Sequence, residues 1–155
     1  MKQYQDLVRH VIENGTLKHN RTGIDTLCYF GYHYKVDLAK GFPLLTTKKI
    51  YFKSVIRELL WYLSGETHIR NLREHTKIWD DWTSEDKNWE IGRMYGYQWV
   101  KWEKYEESDT PDLYKRKHIN QIENVIVLLK NFPDSRRMVV TAWNPSVLDE
   151  IALPS

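Results

Sequence analysis

The chain has 155 residues, 41% of them hydrophobic and 14% aromatic, enough apolar material for one folded domain and too much for a disordered chain. Its 23 basic and 21 acidic residues leave a net charge of +2, which excludes the strongly basic face of a nucleic-acid binder. A single cysteine excludes an internal disulfide and fits a reducing, cytoplasmic compartment, and no apolar run reaches membrane-spanning length.

Residues 2–14 are predicted to form a helix, with Tyr4, Leu7, Val8, Val11 and Ile12 at helical spacing and Gly15 as the stop. A polar turn, Lys18-His19-Asn20-Arg21-Thr22-Gly23, leads into an aromatic strand predicted from Thr26 to Val36, with Gly31 as a bulge or bend. Residues 51–64 form a second helix whose Val55, Ile56, Leu59, Leu60 and Leu63 are expected to be its buried face. Ser54, Arg57, Glu58 and Trp61 share the other. A short helix is expected around 67–75. Residues 101–117 are mostly charged, contain Pro111 and are read as an exposed loop. Asn120 and Glu123 make a capping box for a helix from Gln121 to Lys130 that ends before Pro133, and Met138–Ala142 is predicted to be a short strand. Helices and strands mix without strict βαβ alternation, so the expected class is α+β, with residues 1–155 as a single partial domain.

Several residue types in this order can carry chemistry. Arg136 and Arg137, in Pro133-Asp134-Ser135-Arg136-Arg137, present paired guanidinium forks that match phosphate oxygens, although a charged turn has the same composition. Arg21 is a lone loop arginine. Glu58 lies one turn before Trp61, where a desolvated carboxylate suits proton relay and a solvent-facing one suits nothing more than a surface pair. Trp79 and Trp82 in Trp79-Asp80-Asp81-Trp82 are a platform for a fused-ring ligand, or core. Tyr95, between Gly92 and Gly96, orients a ligand or a water chain, or sits in a plain loop. Cys28 has no activating base nearby and is expected to be inert and buried. The six His keep no metal-ligand spacing with one another or with Cys28, so no metal is expected, and the N-terminus lacks a signal-peptide pattern.

Taken in chain order, the motifs resemble thymidylate synthase. The matching strings are Met1-Lys2-Gln3-Tyr4, Asn20-Arg21-Thr22-Gly23, Phe42-Pro43-Leu44-Leu45-Thr46-Thr47-Lys48-Lys49, Glu58-Leu59-Leu60-Trp61, Ile78-Trp79-Asp80, Tyr95-Gly96-Tyr97-Gln98-Trp99, the arginine turn and Ala142-Trp143-Asn144-Pro145. The resemblance implies a mixed, bent β-sheet packed with helices, about half of that fold being present. It implies reductive methylation of dUMP to dTMP, with 5,10-methylenetetrahydrofolate giving dihydrofolate, in a cytoplasmic homodimer without metal. A thiolate must add at C6 before uracil C5 can act as a carbon nucleophile.

By the same resemblance Arg21 grips the nucleotide phosphate within its own subunit, and Arg136 and Arg137 reach the partner's across a two-fold interface. Glu58 organises waters and relays protons, Tyr95 assists proton traffic at the thiol, and Asn144 shapes the wall beside it. Lys48, Ile78, Trp79, Trp82 and Trp143 serve the folate site. Arg93, Val100 and Asn120 depart from the residues common at those positions, and residues 101–117 are longer and more charged. The lead-in Ala152-Leu153-Pro154-Ser155 resembles the approach to a Cys-His pair, so the nucleophile and the residue that reads the pyrimidine edge are expected past Ser155. The chain as written lacks the nucleophile. A deoxycytidylate hydroxymethylase, which shares the thiol and the folate, is the alternative within the same chemistry, and a non-catalytic fragment or binding module that retains half of the fold is the alternative of another class.

Overall fold

In a computed structural model, residues 2–20 and 23–151 are described, and the chain divides into two compact units, Met1–Ile50 and Tyr51–Ser155. In the first unit, helix α1 (Lys2–Asn14) forms where the apolar stripe predicts it. It stops at Gly15, whose N–H reaches Val11 O at 2.8 Å. A Cβ at Gly15 would lie 2.4 Å from that oxygen, so only glycine fits. Strands β1 (Thr16–Lys18) and β2 (Thr26–Cys28) pair antiparallel, Thr16 opposite Cys28.

Two expectations fail in this unit. Pairing ends at Cys28 rather than Val36, because among the described residues no strand lies alongside residues 29–36 to complete a ladder. Instead Tyr29 and Tyr32 turn their rings to His10, at 4.3 and 5.0 Å. Gly31 bends the chain at φ +81. Cys28 is exposed, not buried, because a two-stranded ribbon covers neither of its faces.

In the second unit, helix α2 (Phe52–Ser64) ends at Gly65, in the left-handed region at φ 64. Helix α3 (Arg70–Arg73) and an isolated bridge between His68 and Glu90 follow. Helix α4 (Tyr95–Lys101) continues directly into β3 (Trp102–Glu107), which pairs antiparallel with β4 (Tyr114–Ile119). Helix α5 (Gln121–Asn131) opens with the predicted cap, Asn120 Oδ1 accepting from Glu123 N at 3.0 Å. Helices with two small antiparallel sheets make the class α+β, as expected.

The core of this unit is Trp61, Ile69, Leu72, Trp79, Ile91 and Met94, with Tyr62, Trp89, Tyr95 and Ile151 packed around it. This inverts the expected orientation of α2. Trp61 is its buried residue, while Val55, Ile56, Leu59, Leu60 and Leu63 are all exposed. Periodicity identifies residues that share a face but not which of two apolar faces meets the rest of the unit. The large aromatic surface of Trp61 and Tyr62 is the one that does. Residues 101–117, expected as a loop, contribute most of the β3–β4 hairpin: the alternating charges pair with one another instead of scattering into solvent, as Lys117 does with Glu106 and Lys104 with Glu106. The strand expected at 138–142 does not pair with another strand among the described residues. Thr141 gives its backbone N–H and C=O to the Gln121 side chain, at 2.9 Å each. No helix is long and apolar enough to cross a membrane among the described residues.

Candidate functional site

Glu58 and Tyr62 are four residues apart on α2, so their side chains share a face. The Tyr62 hydroxyl lies 3.5 Å from Glu58 Oε1, and the Trp79 indole N–H donates to the same oxygen at 2.7 Å. Trp79 is 7% exposed. It precedes a 3₁₀ turn at Asp80–Trp82 that Arg73 holds through a two-pronged ion pair with Asp80, at 2.9 and 3.1 Å. The Arg73 guanidinium also covers the Trp89 ring at 3.4 Å. Tyr95, at the start of α4, meets Tyr62 and Trp79 edge-on at 6.0 and 6.5 Å. α4 reaches α2 this closely because residue 96 is glycine: a Cβ there would lie 2.3 Å from Tyr62 O.

The result is one half-buried carboxylate beside aromatic side chains, two of which, Tyr62 and Trp79, donate to it. Burial first, then the nearby Glu58 carboxylate and Tyr95, push the Tyr62 phenol well above its ordinary value. Tyr62 therefore keeps its proton and acts as a donor. This arrangement can hold a proton or a water at a fixed place beside an aromatic wall.

A second polar centre lies further along α4. Gln98, 2% exposed, donates from Nε2 to Arg93 O at 2.8 Å and accepts on Oε1 from Asn144 Nδ2 at 3.0 Å. Gln121, 8% exposed, donates to Gln98 O at 2.7 Å. Asn144 Oδ1 caps the 3₁₀ turn Pro145–Val147 through Ser146 N and Oγ. Arg93 spans Glu103 on β3 and Glu150, at 3.1 and 2.6 Å, and those carboxylates, Glu150 foremost, raise its pKa further. The sequence reading did not single out Gln98 or Gln121. Their signal was a glutamine within the quoted Tyr95–Trp99 string and a second at the first position of α5, where an amide can reach freed backbone.

The remaining candidates are dispersed. The structure separates the two tryptophans: Trp79 is core, while Trp82, 40% exposed, lines an open cavity of about 370 Å³ with Lys87, Glu90, Ile91, Gly92 and Ile151. Ile78 and Trp143 are exposed at 52% and 62%. Arg136 and Arg137 are exposed, and among the described residues neither pairs with a carboxylate. Arg137 borders a cavity of about 240 Å³ with Gln121, Asn124 and Thr141. Lys48 is exposed in the first unit. Arg21 lies outside the described residues. Glu58, Trp79 and Tyr95 are thus brought together, Asn144 is linked to α4 through Gln98, and Arg137 shares a cavity with Gln121 and Thr141 beside that second centre. Residues 2–155 match the family model described as thymidylate synthase.

Proposed function

From the chain's membership of the thymidylate synthase family, we propose that it serves reductive methylation of dUMP to dTMP, in the cytoplasm and as a homodimer. The observation that carries this reading is the Glu58 carboxylate held by Trp79 and Tyr62 beside Tyr95. Proton traffic at a pyrimidine ring calls for a carboxylate of fixed orientation, screened from bulk water on one side. Glu58 fills that role. Tyr95 borders it, and Asn144 forms the wall near a thiol that the resemblance puts past Ser155.

The phosphate dianion falls to Arg21, Arg136 and Arg137. The exposed guanidinium groups of Arg136 and Arg137, which pair with no carboxylate among the described residues, are available to an anion, including one bound to a second copy of the chain. By the resemblance the folate falls to Ile78, Trp79, Trp82 and Trp143, with Lys48 assigned to its acidic tail, and Ile78, Trp82 and Trp143 have exposed apolar surface that suits a flat fused ring. The cavity beside Trp82 offers the exposed indole as stacking surface and is bordered by Lys87 as well as by Glu90 and Glu150. When bound, 5,10-methylenetetrahydrofolate supplies the one-carbon unit and the hydride. The chain's own residues orient the nucleotide, hold its phosphate and fix the Glu58 side chain against Trp79 and Tyr62.

Calorimetric titration of the chain with dUMP, with dCMP as comparator, tests this. Saturable dUMP binding that weakens in Arg136→Ala is expected. Indifference to both nucleotides would sink the reading. Preference for dCMP would move the assignment to deoxycytidylate hydroxymethylation.

A further inference from the structure

We propose that Gln98 is a positioning residue that commits Asn144 to face any ligand as a hydrogen-bond donor only. The inference rests on the assignment of Asn144 to the site wall. Its physical basis is a relay of fixed polarity through two side-chain amides. At one end stands the Arg93 carbonyl, which can only accept. It therefore takes the Nε2 hydrogen of Gln98 at 2.8 Å, and that turns Gln98 Oε1 toward Asn144. Oε1 requires a donor in turn, so Asn144 presents Nδ2 to it at 3.0 Å. At the far end Asn144 Oδ1 meets the Ser146 backbone N–H, which can only donate, at 3.2 Å, and the Ser146 hydroxyl at 2.8 Å.

Both termini are backbone groups whose sense cannot be reversed. Flipping the two amides would set oxygen against the Arg93 carbonyl and nitrogen against the Ser146 N–H, two repulsions in place of two bonds. Gln98 is 2% exposed, so no water is at hand to repair the loss. Gln121 fixes the spacing: its Nε2 joins Gln98 O to Thr141 O, at 2.7 and 2.9 Å, and its Oε1 holds Thr141 N at 2.9 Å.

The consequence for Asn144 follows from counting. An amide oxygen has two lone pairs and its nitrogen two hydrogens. Both lone pairs are spent on Ser146, and one hydrogen on Gln98. The remaining hydrogen is all that the side chain can offer. A ligand atom meeting Asn144 must therefore be an acceptor, a carbonyl oxygen or a thiolate, and an amino group there meets no acceptor.

The test combines side-chain amide hydrogen exchange with Gln98→Glu. In the unaltered chain the Asn144 amide should exchange at least about tenfold more slowly than an exposed asparagine. A protonated glutamic acid at 98 can still donate to Arg93 O and accept from Asn144, whereas its carboxylate cannot donate. The Arg93 guanidinium is engaged with Glu103 and Glu150, and Glu103 also accepts from the neutral Tyr97 hydroxyl. Ionisation in Gln98→Glu leaves an acceptor for Asn144 but sets a charged oxygen against the Arg93 carbonyl, which expels the side chain from the relay. Compared with an exposed asparagine at the same pH, Asn144 protection should thus be retained at low pH and lost, again by about tenfold, as the introduced carboxyl ionises. Gln98→Leu should lose it at every pH.

Rapid exchange of Asn144 in the unaltered chain, or protection in Gln98→Glu that ignores pH, overturns the relay. The same samples are titrated with dUMP at each pH. If the unaltered chain binds dUMP and Gln98→Glu binds equally well on both sides of the transition, the positioning role is overturned. If the unaltered chain binds no nucleotide, the functional reading fails, while the exchange data still decide the relay.

Discussion

The Trp79 indole N–H donates to Glu58 Oε1 at 2.7 Å, joining α2 to a turn 21 residues further along the chain. The ring is core and its polar edge is a hydrogen-bond partner, so one side chain has two separable contributions. Trp79→Phe keeps most of the packing and leaves the carboxylate short of a donor, which should cost about 1–3 kcal/mol. Trp79→Ala adds a cavity and should cost about 3–5 kcal/mol. Denaturant midpoints measure both. Equal losses would mean that the hydrogen bond contributes nothing.

Gly96 allows α4 to touch the backbone of α2, since a Cβ would lie 2.3 Å from Tyr62 O and 2.6 Å from Tyr62 Cα. Backbone cannot rotate away as a side chain can. Gly96→Ala should therefore destabilise the second unit by about 3 kcal/mol, despite the better helix propensity of alanine. A melting temperature at or above that of the unaltered chain would contradict the close approach.

Hydrogen bonds from Lys104 and Lys117 hold Glu106 down at about 2, against its ordinary value of 4.5. Hydrogen bonding from Tyr105, with Arg93 close by, lowers Glu103 as well. A carboxylate whose folded value is depressed stabilises the fold above its unfolded value and loses that contribution as pH falls through the folded one. The β3–β4 hairpin should accordingly hold its pairing above pH 4.5 and loosen as pH falls toward about 2. Amide shifts of residues 102–119 report this during an acid titration. Lys117→Gln should move the onset to higher pH, and an unchanged onset would count against the ion pairs.

Arg136 is exposed and pairs with no carboxylate among the described residues. Arg136→Ala should therefore leave stability within about 0.5 kcal/mol. The same change should weaken dUMP binding by about tenfold or more, and by less at high salt, because a charge-assisted phosphate contact is removed. Equal binding by variant and parent would release Arg136 from the phosphate site.

The parts of the fold that could be read ahead of the structure are those governed by local chemistry. α1 and α5 lie where apolar spacing and a capping residue put them, and Asn120 caps as its side chain suggests. α2 was legible as a helix but not in its orientation, because which face it buries depends on Trp79 and Ile69, residues remote in sequence. The hairpin escaped because its charges look like a solvated loop until Lys117 is seen reaching Glu106 diagonally across the two strands. Glu58 and Tyr95 were legible as candidates, and their meeting with Trp79 was not. Gln98 and Gln121 stayed hidden because a glutamine carries no label for what it will bond. Only the approach of Arg93 O and Thr141 gives each a task.

Each strand of the β3–β4 hairpin is an open edge, with backbone donors and acceptors facing outward. Lys104, Lys115, Arg116 and Lys117 stand along those edges. Another polypeptide trying to extend the ribbon would have to strip water from a set of paired charges, these cations with Glu103, Glu106 and Asp109. The ribbon thus carries its own deterrent against stacking into fibres, written in the same side chains that hold its two strands in step.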